Sequence, residues 1–417
     1  MGVVSGFMVL AFAYSVSVPI YEAPDEPAHV EYAHHIASET SLPDMSDSYE
    51  AWQPPLYYTI GGVTLKIFGL DSIPQNAINP QLGLQSNAYI HGTHEAFPYS
   101  GGYLTVHVLR WISVLFGAGA LVFIYMIAIT IFPQRKLLAL SVTATAGLVP
   151  QFAFTSGYAT NDIPAVFFAT AVVFCGLRLL REPHLKWAGA AAVALALGGL
   201  TKSSVVAVAA VPLLACVLAP VTLRAKGKML AVMIALPAVV AGPFYLRNII
   251  QWGAVYPDDL LPFPTHPRGI LDPGYRQIFL PMLRQSYWYY GGWLTVVLSP
   301  ILYDILNVAS VLAVGGAVSA FVSRQFSEFQ HRAMLLLALT IVLAFLGTLY
   351  ISVFMDWQPQ GRYLFPAQAA FAMLFTFGIG ALFSRDHQRE SPAVLAMPVM
   401  LVALNVSILL INLPRAY

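Results

Sequence analysis

Long apolar runs decide what this chain can fold into. They fall at about 2–20, 104–132, 137–156, 163–181, 187–200, 203–221, 229–246, 295–321, 333–354, 363–383 and 392–412. A helix crossing the hydrocarbon of a bilayer needs about 20 predominantly apolar residues. The pattern therefore predicts an all-α polytopic membrane protein with about eleven transmembrane helices. Composition agrees, with 58% of residues hydrophobic and only 10% charged, against about 25% charged in an ordinary soluble domain. So few charges cannot cover a water-facing surface. The first run, Gly2 to Ile20, has no basic n-region and no small-residue cleavage site. It reads as a retained helix rather than a signal peptide. Cys175 and Cys216 lie inside apolar runs and read as small hydrophobes, not as a disulfide.

Two long polar stretches interrupt the runs, at 21–103 and 247–294. Both are rich in Trp, Tyr and Pro, and neither repeats nor resembles a soluble domain. The whole of 1–417 is read as a single membrane domain. Its net charge of +1 points to neither nucleic acid nor an acidic partner. The distribution of charge says more. Arg135-Lys136, Arg178/Arg181/Lys186, Arg224/Lys226/Lys228, Arg324/Arg332 and Arg385/Arg389 occupy alternate short loops. Short loops rich in Lys and Arg stay in the cytoplasm. The long stretches 21–103 and 247–294 are then outer loops of a multi-pass plasma-membrane protein, and the candidate chemistry faces outward.

That chemistry starts right after the first run, at Pro24-Asp25-Glu26-Pro27-Ala28-His29. Pro27 suits the first turn of a helix, and Asp25 and Glu26 then sit at its N-terminus, where the dipole favours a carboxylate. His29 and Tyr32 follow on the face of Asp25. Such a carboxylate can deprotonate a hydroxyl or hold a metal; an ordinary capped helix entry is the plainer alternative. His29, Glu31, His34 and His35 lack the i, i+4 pair of helical zinc motifs, so a divalent metal is not favoured and no cofactor is expected. Trp52-Gln53-Pro54-Pro55-Leu56-Tyr57-Tyr58 enforces extended chain before an interfacial helix. Its aromatics are membrane anchors or the wall of a substrate groove.

Thr160-Asn161-Asp162 offers a helix cap or a second carboxylate for the same cavity. Lys202 lies in a tight outer hairpin, against the positive-inside trend, where snorkelling is the alternative. Arg247-Asn248 opens the second outer loop, which ends in Trp288-Tyr289-Tyr290. In Gln360-Gly361-Arg362-Tyr363, Arg362 enters the tenth span from outside. An ionisable group there needs an anionic partner: a phosphate, for which the planar fork is suited, or Asp356 or Asp304.

In this order the motifs Pro24-Asp25-Glu26-Pro27-Ala28-His29, Pro54-Pro55-Leu56-Tyr57-Tyr58, Asn161-Asp162, Leu200-Thr201-Lys202, Arg247-Asn248, Ser286-Tyr287-Trp288 and Gln360-Gly361-Arg362-Tyr363-Leu364 resemble the C-type membrane glycosyltransferases. These use polyprenyl-phosphate sugars, as do the protein O-mannosyltransferases and the lipid A aminoarabinose transferase. The likeness is strongest to a bacterial and archaeal group of predicted membrane proteins in that superfamily. It implies the C-type fold, with juxtamembrane helices on a long first outer loop.

The resemblance also implies a base at Asp25, with Glu26 positioning the acceptor. Lys202, Arg247 or Arg362 would hold the lipid phosphate. His29, Gln53, Tyr57, Tyr58, Asp162, Trp288 and Tyr363 would complete the substrate site. The implied partners are a polyprenyl-phosphate-linked sugar donor, a glycan, lipid or protein acceptor, and the bilayer. The outer loops show no D-x-D pair, which counts against a metal-dependent oligosaccharyltransferase. The expected reaction is inverting transfer to an acceptor hydroxyl on the outer face. A lipid or sugar transporter or flippase is the alternative, and a non-catalytic scaffold a third.

Overall fold

The computed structural model describes residues 2–81, 87–261, 272–323, 325–355, 359–384 and 386–417. Arg324, Asp356 and Arg385 lie outside the described residues. In chain order the helices are α1 (Gly2–Ser17), α2 (Glu26–Glu39), α3 (Leu56–Phe68), α4 (Gly101–Ile131), α5 (Lys136–Leu148), α6 (Pro150–Ser156), α7 (Asp162–Arg181) and α8 (Leu185–Gly199). Then follow α9 (Ala210–Leu218), α10 (Leu223–Trp252), α11 (Pro273–Trp288), α12 (Pro300–Val322), α13 (Glu328–Phe354), α14 (Gln368–Leu382) and α15 (Ala396–Ser407). A two-residue antiparallel pair, Tyr290–Gly291 with Val296–Val297, closes the turn after α11.

Each of the eleven apolar runs carries a helix, although the run at 295–321 starts with the strand Val296–Val297, and the helices are unequal in reach. Among the described residues seven helices are long and apolar enough to cross a bilayer. The pair α5–α6, bent by 65°, makes an eighth if it is one span. Its break falls at Val149-Pro150, where proline has no N–H to continue the ladder. The segments Gly2–Ser17, Leu185–Gly199 and Ser203–Leu218 are shorter. Sixteen residues reach about 24 Å at 1.5 Å per residue, less than the hydrocarbon thickness of about 30 Å.

Helix α7 is the axis of the bundle, 89% buried, with α4, α8 and α9 packed on it. By contrast α10 and α12 are each only 22% buried and carry exposed Val, Leu and Ile. In lipid such a face costs nothing, because hydrocarbon is as apolar as the side chains.

The basic loops gather at one end. Arg135 donates to the His387 carbonyl at 2.9 Å, and Glu390 accepts from the N–H groups of Leu137 and Leu138 at the start of α5. Arg181 donates to the Thr130 carbonyl, and Arg332 to that of Leu218. The first long loop is built on α2 and α3. They cross so closely at Gly62 that a Cβ there would stand 2.8 Å from the Ala33 carbonyl oxygen. The start of α3 is tied to the α8 hairpin by the Leu56 N–H to the Leu200 carbonyl, 2.8 Å. The motifs at 25, 53 and 202 are thereby brought to one place.

Candidate active site

Asp25 caps α2 in the left-handed region, with φ 65°. Asp is among the few residues enriched there. Its side chain makes no cap hydrogen bond. Instead Oδ2 accepts from Arg362 Nη2 at 2.7 Å, while Oδ1 meets the Tyr49 hydroxyl at a long 3.5 Å. The Asp25 side chain keeps 29% of its surface open, against 4% for Arg362. Arg362 also donates to the Tyr158 hydroxyl at 3.1 Å and stands 3.6 Å from Asp162. Asp162 in turn accepts from Lys202 Nζ at 2.5 Å. Four charged residues from distant parts of the chain thus form one continuous row, Lys202–Asp162–Arg362–Asp25.

The row has local causes. Gly361 lies so close to α11 that a Cβ would overlap the Tyr287 backbone, and its N–H donates to Ser286 Oγ at 2.8 Å. This seats Arg362 beside Asp25. Asn161 donates to Gln53 Oε1 at 3.1 Å and to the Thr201 carbonyl at 3.3 Å, locking the Pro-Pro segment to the hairpin that carries Lys202.

A cavity of about 320 Å³ opens on the row. Asp25, His29, Gln53, Asp162, Lys202 and Tyr363 line its polar part, and Leu343, Ala344, Gly347 and Ile351 of α13 give it an apolar wall. The Tyr363 ring lies under both cations, 5.6 Å from Lys202 Nζ and 5.4 Å from the Arg362 guanidinium carbon. His29 shares a 2.8 Å hydrogen bond with the Tyr58 hydroxyl. Burial pushes its imidazole down to about 4, so it is neutral at physiological pH and supplies no positive charge.

Other expected site residues stand elsewhere. Glu26 is fully buried and bound by both oxygens to Arg110, at 2.8 and 2.7 Å. It also accepts from the N–H groups of Tyr21 and Ala159. Arg110 reaches the carbonyls of Ser15, Val18 and Pro19 as well. Glu26 therefore pins the end of α1 to α4 and the loop before α7, and it is not placed to position an acceptor.

Tyr57 and Tyr58 are wholly buried behind the cavity wall, Tyr57 bonded to Ser113 and Tyr58 stacked on Tyr32 at 3.9 Å. Trp288 is a core residue against Phe375, 5.2 Å between ring centres, because α11 turns that face toward α14. Arg247 donates to the Pro43 carbonyl and lies over the Trp252 ring, away from the row. Arg362 finds its anions in Asp25 and Asp162, not in Asp304.

Two residues escaped the motifs. Arg110 was signalled by its place inside an apolar run, where a charge demands a partner. Glu50 lines the cavity and is 7% exposed; as one acid in a polar loop it gave no signal. Among the described residues no group of three or more His, Cys, Asp or Glu is gathered to hold a metal.

The sequence model of the family described as dolichyl-phosphate-mannose-protein mannosyltransferase matches residues 88–251. No curated protein matches the chain. Among solved structures the chain is similar to ArnT from Cupriavidus metallidurans bound to undecaprenyl phosphate. The TM-score is 0.55 at 15% identity, over 96% of this chain and 62% of that one. The oligosaccharyltransferase of Archaeoglobus fulgidus in its apo form gives a TM-score of 0.49 at 14% identity, over 99% of this chain and 56% of that one. The chain has the fold of the C-type membrane glycosyltransferases, as its ordered motifs implied. It is a multi-pass membrane protein that spans 62% of the length of ArnT.

Proposed function

We propose that this protein is an inverting glycosyltransferase that moves a sugar from a polyprenyl-phosphate donor to an acceptor hydroxyl on the extracytoplasmic face. The observation that carries the reading is a cavity with Asp25 and Lys202 at its polar end and the apolar flank of α13 as its wall. A lipid-linked sugar phosphate has the same two-part chemistry. The ArnT structure, which shares the fold, holds undecaprenyl phosphate.

In this reading Asp25 takes the proton of the acceptor hydroxyl through Oδ1, the oxygen that Arg362 leaves free. The acceptor oxygen attacks the anomeric carbon. The bond from that carbon to the phosphate oxygen breaks on the opposite face, and its electron pair leaves with the polyprenyl phosphate. Positive charge develops on the sugar, as in glycoside hydrolysis. Lys202, the cation open to the cavity, stabilises the departing phosphate electrostatically. Arg362, one layer behind, holds Asp25 in position through Oδ2.

Purified protein should bind undecaprenyl phosphate, and Lys202→Met should weaken that binding at least tenfold, about 1.4 kcal/mol. Absence of binding by the parent protein would sink the donor assignment; unchanged binding by the variant would move the phosphate to another cation. The orientation has its own test. In a cysteine-free background, Ser46→Cys should react with an impermeant maleimide on intact cells, and Gly227→Cys, near Lys226 and Lys228, only after lysis. The reverse pattern would invert the protein in the membrane.

A further inference from the structure

Two carboxyls in the cavity wall have no part in the proposed reaction, Asp162 and Glu50. Asp162 is paired with Lys202, and among the described residues Glu50 is not paired with a cation. Glu50 is 7% exposed, and its Oε2 is buried with no hydrogen-bond partner among the described residues. Each cation of the row is already engaged by another acid: Arg362 by Asp25, Lys202 by Asp162. A buried carboxylate without a cation of its own is costly, so the group is better accommodated with its proton on. A buried carboxyl O–H with no acceptor also lacks a partner, and the cavity is where a partner would arrive.

We propose that Glu50 is a further substrate-positioning residue, a neutral acid that donates its carboxyl O–H to an oxygen of the donor's sugar-phosphate group. The assignment rests on the donor class proposed above. Glu50 shares the cavity with Asp25, His29, Tyr49, Gln53, Asp162 and Lys202, and it also interacts electrostatically with Arg362, Tyr32 and Tyr58. Burial raises its carboxyl first and the charge of Asp25 adds to this, to about 8; Lys202, Arg362 and the bond to Gln53 oppose them and are outweighed. Below that pH the acid donates a hydrogen bond. Above it a negative charge replaces the donor, next to a phosphate that is itself anionic, and binding weakens.

The test is the affinity for undecaprenyl phosphate at pH 7 and pH 9. The parent protein should lose at least fivefold between them. Glu50→Gln keeps a neutral group with N–H donors and cannot ionise. It should bind within threefold of the parent at pH 7 and change less than twofold by pH 9. Glu50→Ala should bind about fivefold more weakly than the parent at pH 7. A flat pH profile in the parent overturns the proposal without need of any variant. So does a tenfold loss in Glu50→Gln at pH 7, which would show that the charge is what matters, or an equal pH dependence in parent and Glu50→Gln. Absence of binding by the parent at either pH is a different result: the donor assignment itself fails, and this inference with it.

Discussion

Asp25 and Glu26 are neighbours in the chain, both are acids, and each is held by an arginine. Glu26 and Arg110 are both completely enclosed and joined by two hydrogen bonds, and five further contacts surround the pair: three backbone carbonyls accept from Arg110, and two backbone N–H groups donate to Glu26. Asp25 has one oxygen on Arg362 and leaves the other toward a cavity, with 29% of its side chain open. A buried pair whose every donor and acceptor is used can hold chain segments together and has no valence left for a substrate. A pair with one oxygen held only by a long 3.5 Å hydroxyl contact and open to a cavity can exchange a proton. What separates structure from chemistry here is therefore the free valence, not the residue type.

Substitution at either pair separates the two roles. Asp25→Asn removes the proton acceptor and leaves the packing volume in place. Transfer should fall by about 10²–10⁴, the usual contribution of a general base, while thermal stability in detergent stays near that of the parent. Turnover within threefold of the parent would remove Asp25 from the base role. Glu26→Gln should do the opposite. It strands the Arg110 charge inside the protein, and breaking such a pair costs about 3–5 kcal/mol. Pairing it with Arg110→Met should restore part of the lost stability, since the stranded charge is then gone. A Glu26→Gln protein as stable as the parent, but inactive, would return Glu26 to the reaction.

Arg362→Lys probes the open pair more gently. Lysine keeps the charge but not the planar fork that reaches Asp25 and Tyr158 together. Transfer should drop about tenfold, near 1.4 kcal/mol, with undecaprenyl phosphate affinity changed less than by Lys202→Met. If donor affinity falls as far as in Lys202→Met, Arg362 touches the phosphate itself.

Much of the membrane architecture was legible in the sequence, because partition into lipid is local: each apolar run declares itself without reference to any other. The same holds for the basic loops, which the structure gathers at one end of the bundle. The motifs around Asp25, Gln53, Asp162, Lys202 and Arg362 were also legible as polar residues at the ends of apolar runs, where they need partners. Which partner each one takes was decided by the fold. Arg362 lies 337 positions from Asp25, and only the close approach of Gly361 to α11 brings them together. The left-handed backbone at Asp25 separates its side chain from that of Glu26, so two adjacent acids go to different places. Trp288, placed in the substrate site by the family resemblance, became core because α11 packs against α14; Glu50, with no motif at all, entered the cavity wall. A sequence carries the local cost of burying each group. The partner that offsets that cost is a property of distances between remote segments, and those exist only once the helices are packed.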